Sequence, residues 1–150
     1  MIKIAKQKPW WGKVVGGAID IAALQHQAMP AVVEIWLKEA KVHLRSQKIK
    51  IQDGIEAVKR FLGVNPVTNS SLLHINAKAK GLISEMGGCP SPLDGQTKVY
   101  KWRTDREGNI VGEVPDDKNN HACKALAYGI VDLFGYSPAQ HRQPFIKFFK

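Results

Sequence analysis

Apolar positions along the chain follow two spacings in turn, and their alternation predicts the order of its elements. Lys13 to Ile19 is a short β-branched run with two glycines, followed by Asp20, the pattern of a buried strand with a carboxylate at its C-terminal tip. Pro30 suits the first turn of a helix, and Val33, Trp36, Leu37 and Ala40 recur at i, i+3, i+4 and i+7 along one helical face. Val42 and Leu44 alternate with His43 and Arg45, as in a half-buried strand. Ile55, Val58 and Leu62 mark a second helix, stopped by Gly63 and Pro66. Leu72, Leu73 and Ile75 predict a third strand, and Leu82, Ile83 and Met86 share one face of the helix after it. Beyond a Gly- and Pro-rich loop from Gly87 to Gly95, Val99–Arg103 and Ile110–Val114 predict a hairpin that turns over Asp105–Asn109. A last helix is expected from near Asp117 to Gly135, with Ala122, Leu126, Ile130 and Leu133 on its apolar face. Strands and helices in alternation predict an α/β architecture.

Composition narrows the function classes. The 150 residues, 44% hydrophobic and 23% charged, describe one ordinary globular domain. No apolar run approaches the ~20 residues needed to cross a bilayer, and Met1 is followed by lysines without an apolar leader core, so a cytoplasmic protein with no membrane partner is expected. Cys89 and Cys123 are too few for a disulfide framework and form no CxxC pair. Lys and Arg number 22 against 13 acids, a net charge of +9, which favours a polyanionic partner.

Candidate chemistry concentrates in Pro115 to Tyr136, PDDKNNHACKALAYGIVDLFGY. On a helix starting near Asp117, the side chains of Asp117, His121 and Lys124 would stack along one stripe. Asp20 at its strand tip could face that stripe, and paired carboxylates are what Mg²⁺ or Mn²⁺ needs for phosphodiester hydrolysis. The alternative is that Asp116 or Asp117 caps the helix and His121 is a surface histidine. Lys98, Lys101, Arg103 and Arg106 either follow a phosphate backbone or simply solvate a charged hairpin. Trp10 and Trp11, in a basic context, are candidates to stack on bases, as are Tyr100 and Trp102, whereas Trp36 on its apolar face belongs to the core. A zinc site from His74, Cys89, His121 and Cys123 is disfavoured, because residues two apart on a helix point to different sides.

The ordered run YKWRTDREGNIVGEVPDDKNNHACKALAYGIVDLFGY, Tyr100 to Tyr136, resembles the end of the nuclease domain of tailed-bacteriophage terminase large subunits. There a Tyr-x-Trp hairpin with a charged turn leads into an Asp-x-x-Asn-His-Ala helix. GGAIDIAA at Gly16–Ala23 resembles the strand bearing that family's second catalytic acid, and the elements between follow in the family's order, so the resemblance covers Trp10 to Tyr136. It implies an RNase H-like fold, a mixed sheet with flanking helices, in three parts. These are a basic N-terminal arm over 1–12, a partial nuclease domain over 13–136 lacking the first strands of the fold, and a basic and aromatic tail over 137–150. It also implies metal-dependent cleavage of concatemeric double-stranded DNA during genome packaging, with a two-metal Mg²⁺ or Mn²⁺ site. The implied metal ligands are Asp20 and Asp117 or Asp116, with His121 assisting catalysis. Its implied partners are the terminase ATPase domain, the small subunit and the portal. Better-known members carry an acid where this chain has Lys124, which would instead lie against DNA. The alternative function is a non-catalytic basic DNA-binding or packaging-assembly module that retains the fold.

Overall fold

The computed structural model describes residues 1–25 and 30–135; the tail over 137–150 lies outside the described residues. The chain is a mixed α/β protein whose helices accompany small sheets, divided into two compact units, one over Met1–Ile49 and one from Lys50 onward.

In the first unit the basic N-terminal segment is partly helical. It forms helix α1, Ile2–Lys6, and a 3₁₀ turn over Trp11–Lys13. That turn consumes the start of the expected strand, since the Lys13 and Val14 N–H groups donate to the carbonyls of Trp10 and Trp11, each at 3.0 Å. Strand β1 is therefore only Gly17–Ile19. It pairs in parallel with β2, Leu44–Ser46, and helix α2, Val32–Ala40, lies between them in sequence, so the unit contains a β-α-β connection. Gly17 permits the close pairing, because a Cβ there would stand 3.1 Å from the Leu44 side chain. Helix α2 ends without a glycine. Lys41 turns left-handed at φ 57°, a conformation costing roughly 1–2 kcal/mol for a side-chain-bearing residue, and its N–H caps the Leu37 carbonyl at 3.1 Å. The turn delivers Val42 into the core at 5% exposure, a burial that offsets the strain. Trp36 packs against Trp11 with ring centroids 6.4 Å apart.

The second unit is built on α3, Ile51–Leu62, packed against α5, His121–Phe134. Both helices are present, but the face of α3 is shifted and α5 departs from the expected face at Leu133. In α3 the buried residues are Gly54, Ala57 and Phe61, one position before the expected Ile55, Val58 and Leu62, which are only half-buried. In α5 they are Ile130 and Val131, while Leu133 is 61% exposed. Gly54 and Ala57 are small buried residues of α3, and the Phe61 ring packs against α5 with its centroid 5.0 Å from that of Phe134. Gly135, at φ 72°, ends α5 where expected.

The strand expected over Leu72–Ile75 does not form. Asn65 draws the Val67 N–H onto its side-chain oxygen at 2.9 Å, and Asn69 adopts φ 50°, closing a short hairpin of β3, Val64–Asn65, and β4, Ser70–Ser71. Leu73 then donates its N–H to the Phe61 carbonyl at 2.9 Å, serving the C-terminal end of α3 instead of a sheet. Helix α4, Lys80–Glu85, follows, and the predicted second hairpin is present as β5, Trp102–Thr104, and β6, Ile110–Pro115, with a register shift between them. Its turn is organised by Asp105, whose carboxylate accepts the N–H groups of Glu107 and Asn109 at 3.0 and 2.8 Å.

Removing the Phe61 ring opens the α3–α5 contact at its closed end. Phe61→Ala is expected to cost about 3–5 kcal/mol of unfolding free energy in urea denaturation, whereas Leu133→Ala, on the exposed side of α5, should change it by less than about 0.5 kcal/mol.

Candidate functional site

The turn between β6 and α5 gathers several of the residues singled out by the sequence. Asp116 donates its N–H to the Lys101 carbonyl at 2.9 Å, which keeps the chain tied to the hairpin beyond the end of β6. Asn119 then turns left-handed at φ 52°, which a helix cannot accommodate, so α5 begins at His121 and not near Asp117. Asp117 consequently precedes the helix and is not stacked on it. It still meets the helical residues. The Asn120 side-chain amide, buried at 2% exposure, donates to Asp117 Oδ1 at 2.9 Å, and Lys124 Nζ, one turn into α5, donates to the same oxygen at 3.0 Å. These contacts hold the Asp117 carboxyl below the usual range, the Lys124 hydrogen bond first, then Asn120 and the Lys124 charge, with His121 close enough to add to the effect.

Neither Asp116 nor Asp117 caps α5. The N–H of Cys123, in the first turn, donates to Glu85 Oε2 at 2.9 Å, from a residue 38 positions away at the end of α4. Sequence reasoning missed Glu85 because local capping patterns look only three residues away. The same carboxylate lies beside the Cys123 thiol. Burial first, and then the Glu85 charge and hydrogen bond, push the thiol up to about 12, so Cys123 is a poor nucleophile. Tyr100 is in the same neighbourhood: its N–H donates to the Glu85 carbonyl at 2.8 Å, and burial, Cys123 and Asp117 raise its phenol above the ordinary value.

Asp20 belongs to the first unit. It ends β1, as expected, and its carboxylate accepts the Ala22 N–H at 2.8 Å, capping the 3₁₀ turn over Ile21–Leu24. Of the basic residues, Lys98 is ion-paired with Asp94, whose carboxyl is thereby held low, while Lys101, Arg103 and Arg106 are exposed on the hairpin. Trp11 is engaged with Trp36, and Trp10 stays 53% exposed. Cys89 and Cys123 are free thiols, and Cys89 Sγ donates to the Lys80 carbonyl at 3.6 Å.

Magnesium and manganese need several carboxylate oxygens whose lone pairs face a common point. Asp117 Oδ1 instead receives an ammonium and an amide, and no group of three or more His, Cys, Asp or Glu residues converges among the described residues. Chemically, the arrangement around Asp117 is an exposed carboxylate paired through Oδ1 with a cation and an amide from within the chain. No protein family's sequence pattern, no curated protein and no solved structure matches the chain.

The Cys123 environment makes a pH prediction with a definite sign. The folded thiol titrates above its ordinary value of 9.0, so its contribution to stability is complete below pH 9 and is lost as the pH rises toward about 12. Urea denaturation between pH 8 and 11 should show this alkaline loss, and Cys123→Ala should reduce it. Glu85→Ala, which removes the cap, is expected to destabilise by about 1 kcal/mol at pH 7 and to speed alkylation of Cys123, read by mass spectrometry.

Proposed function

We propose that the chain is the C-terminal portion of a tailed-bacteriophage terminase large-subunit nuclease domain, RNase H-like in fold, that engages double-stranded DNA during genome packaging. The observation that carries this reading is the continuity of one segment. A Tyr-x-Trp hairpin with a charged turn leads through Asp116 and Asp117 directly into a helix that opens on His121, Ala122 and Cys123. The net charge of +9 and the exposed Lys101, Arg103 and Arg106 on that hairpin support a phosphate-backbone partner. The ATPase domain, small subunit and portal are the protein partners that the reading carries with it.

One specific observation favours a second reading, a non-catalytic DNA-binding or packaging-assembly module. Lys124, at the position where the resembled family carries an acid, is paired with Asp117. The ammonium there puts a positive charge where the nuclease family places a metal-binding acid, which suits contact with a phosphate better than coordination of a cation.

Duplex binding tests the shared part of both readings. Affinity should be independent of sequence and fall with salt, each neutralised phosphate contributing a slope of ~0.9 in log K against log salt, and Arg103→Gln and Arg106→Gln should each reduce that slope. Binding insensitive to salt would remove DNA as the partner of this surface. Cleavage by the protein with the first strands of the fold restored separates the readings: DNA scission in Mg²⁺ or Mn²⁺ that is abolished by Asp20→Asn and by Asp117→Asn supports the nuclease, and salt-dependent binding without scission by that restored protein supports the module.

A further inference from the structure

A groove of about 210 Å³ opens in the second unit between α3 and the hairpin, lined by Ile55, Lys59, Tyr100, Lys101, Trp102 and Pro115. We propose that this groove takes one unstacked base of a single-stranded DNA segment, with Lys59 at its rim meeting the adjoining phosphate. The inference rests on the DNA-partner reading above and extends it to a second form of that partner.

The lining is what a base requires. Tyr100 and Trp102 are two apart, so in extended chain they fall on the same side, and both are half-buried, as rings are that offer one surface to a neighbour and keep another accessible. Ile55 from α3 and Pro115 from β6 supply further apolar surface. The volume is below the ~300–1,000 Å³ of sites that enclose small molecules whole, and suits a single planar ring system. Charge complementarity identifies the rest of the occupant. Two lysines and no acid line the groove, so the ligand is aromatic and anionic, as a nucleotide within a strand is. Lys59 is bonded to Glu56 at 3.0 Å, but both side chains are largely exposed, and such surface pairs are weak enough for a phosphate to displace. Lys101 supplies the second cation of the lining. A paired base in a duplex cannot enter such a groove, since both its faces are already stacked, so the site selects frayed ends or single strands.

The test uses the full chain with a fluorescently labelled oligo-dT and a labelled duplex of the same length. The single strand is expected to bind, and Trp102→Leu should weaken it about fivefold to a hundredfold while changing duplex affinity less than twofold. Lys59→Gln, an exposed helical substitution that does not endanger folding, should lower the single-strand salt slope by ~0.7 and leave the duplex slope unchanged. Circular dichroism melts of both variants accompany the titrations. Duplex binding with single-strand affinity unaffected by Lys59→Gln and by a folded Trp102→Leu would overturn the groove and leave the DNA-partner reading standing. Failure to bind either form of DNA would overturn both. Tryptophan quenching by a proline-rich peptide, with none by oligo-dT, would overturn the proposal in favour of a peptide groove.

Discussion

The hydrogen bond from the Cys123 N–H to Glu85 sets the geometry of the second unit's charged end. A helix start leaves several N–H groups without partners, and a carboxylate placed there satisfies one of them while meeting the positive end of the helix dipole. Here the carboxylate comes from α4, 38 residues away, so the cap is also a tertiary tie between two helices. With Glu85 in that role, Asp117 is released from capping and accepts Asn120 and Lys124 instead. The Tyr100 N–H on the Glu85 carbonyl brings the approach to the hairpin to the same point. One glutamate thus places α4, α5 and the strand side of the candidate site together, and its charge also suppresses the one thiol within reach.

The same arrangement bears on function. Around Asp117 a carboxylate is met by a cation and an amide from the start of α5, Lys124 and Asn120, and elsewhere in the unit Asp94 is paired with Lys98. Lys101, Arg103 and Arg106 are exposed on the hairpin, beside the exposed acids Asp105 and Glu107. Backbone binding is proposed in both functional readings, and cleavage is what separates them.

Much of the element order was legible before the structure. The helices over Val32–Ala40, Ile51–Leu62 and Lys80–Glu85, the strands at Ile19 and Leu44, the Asp105 hairpin and the Gly135 stop all follow from spacing and turn chemistry. The faces were less legible, because periodicity weights large apolar residues. The buried positions of α3 include the small Gly54 and Ala57, and Leu133 stays outside despite its size. Three element errors share one cause. Trp11–Lys13 takes a 3₁₀ turn, Leu73 serves the end of α3, and Asn119 delays α5. In each, a backbone hydrogen bond or a left-handed residue overrode a pattern that was locally sound.

For the candidate site, the amino-acid order by itself determined which residues would be neighbours within a turn or two: Asp117, Asn120, His121 and Lys124 lie close however the segment folds, and +9 sets the sign of the field around it. Only the tertiary structure decided their roles. Whether Asp117 caps, binds a metal or holds a lysine depends on what else can reach the first turn of α5, and the answer, Glu85, lies in a different helix. Whether Tyr100 and Trp102 are core or ligand-facing depends likewise on α3 standing opposite them with Ile55 and Lys59. Local spacing is set by the covalent chain, but the partner that wins a hydrogen-bonding group is chosen by packing between segments far apart in it.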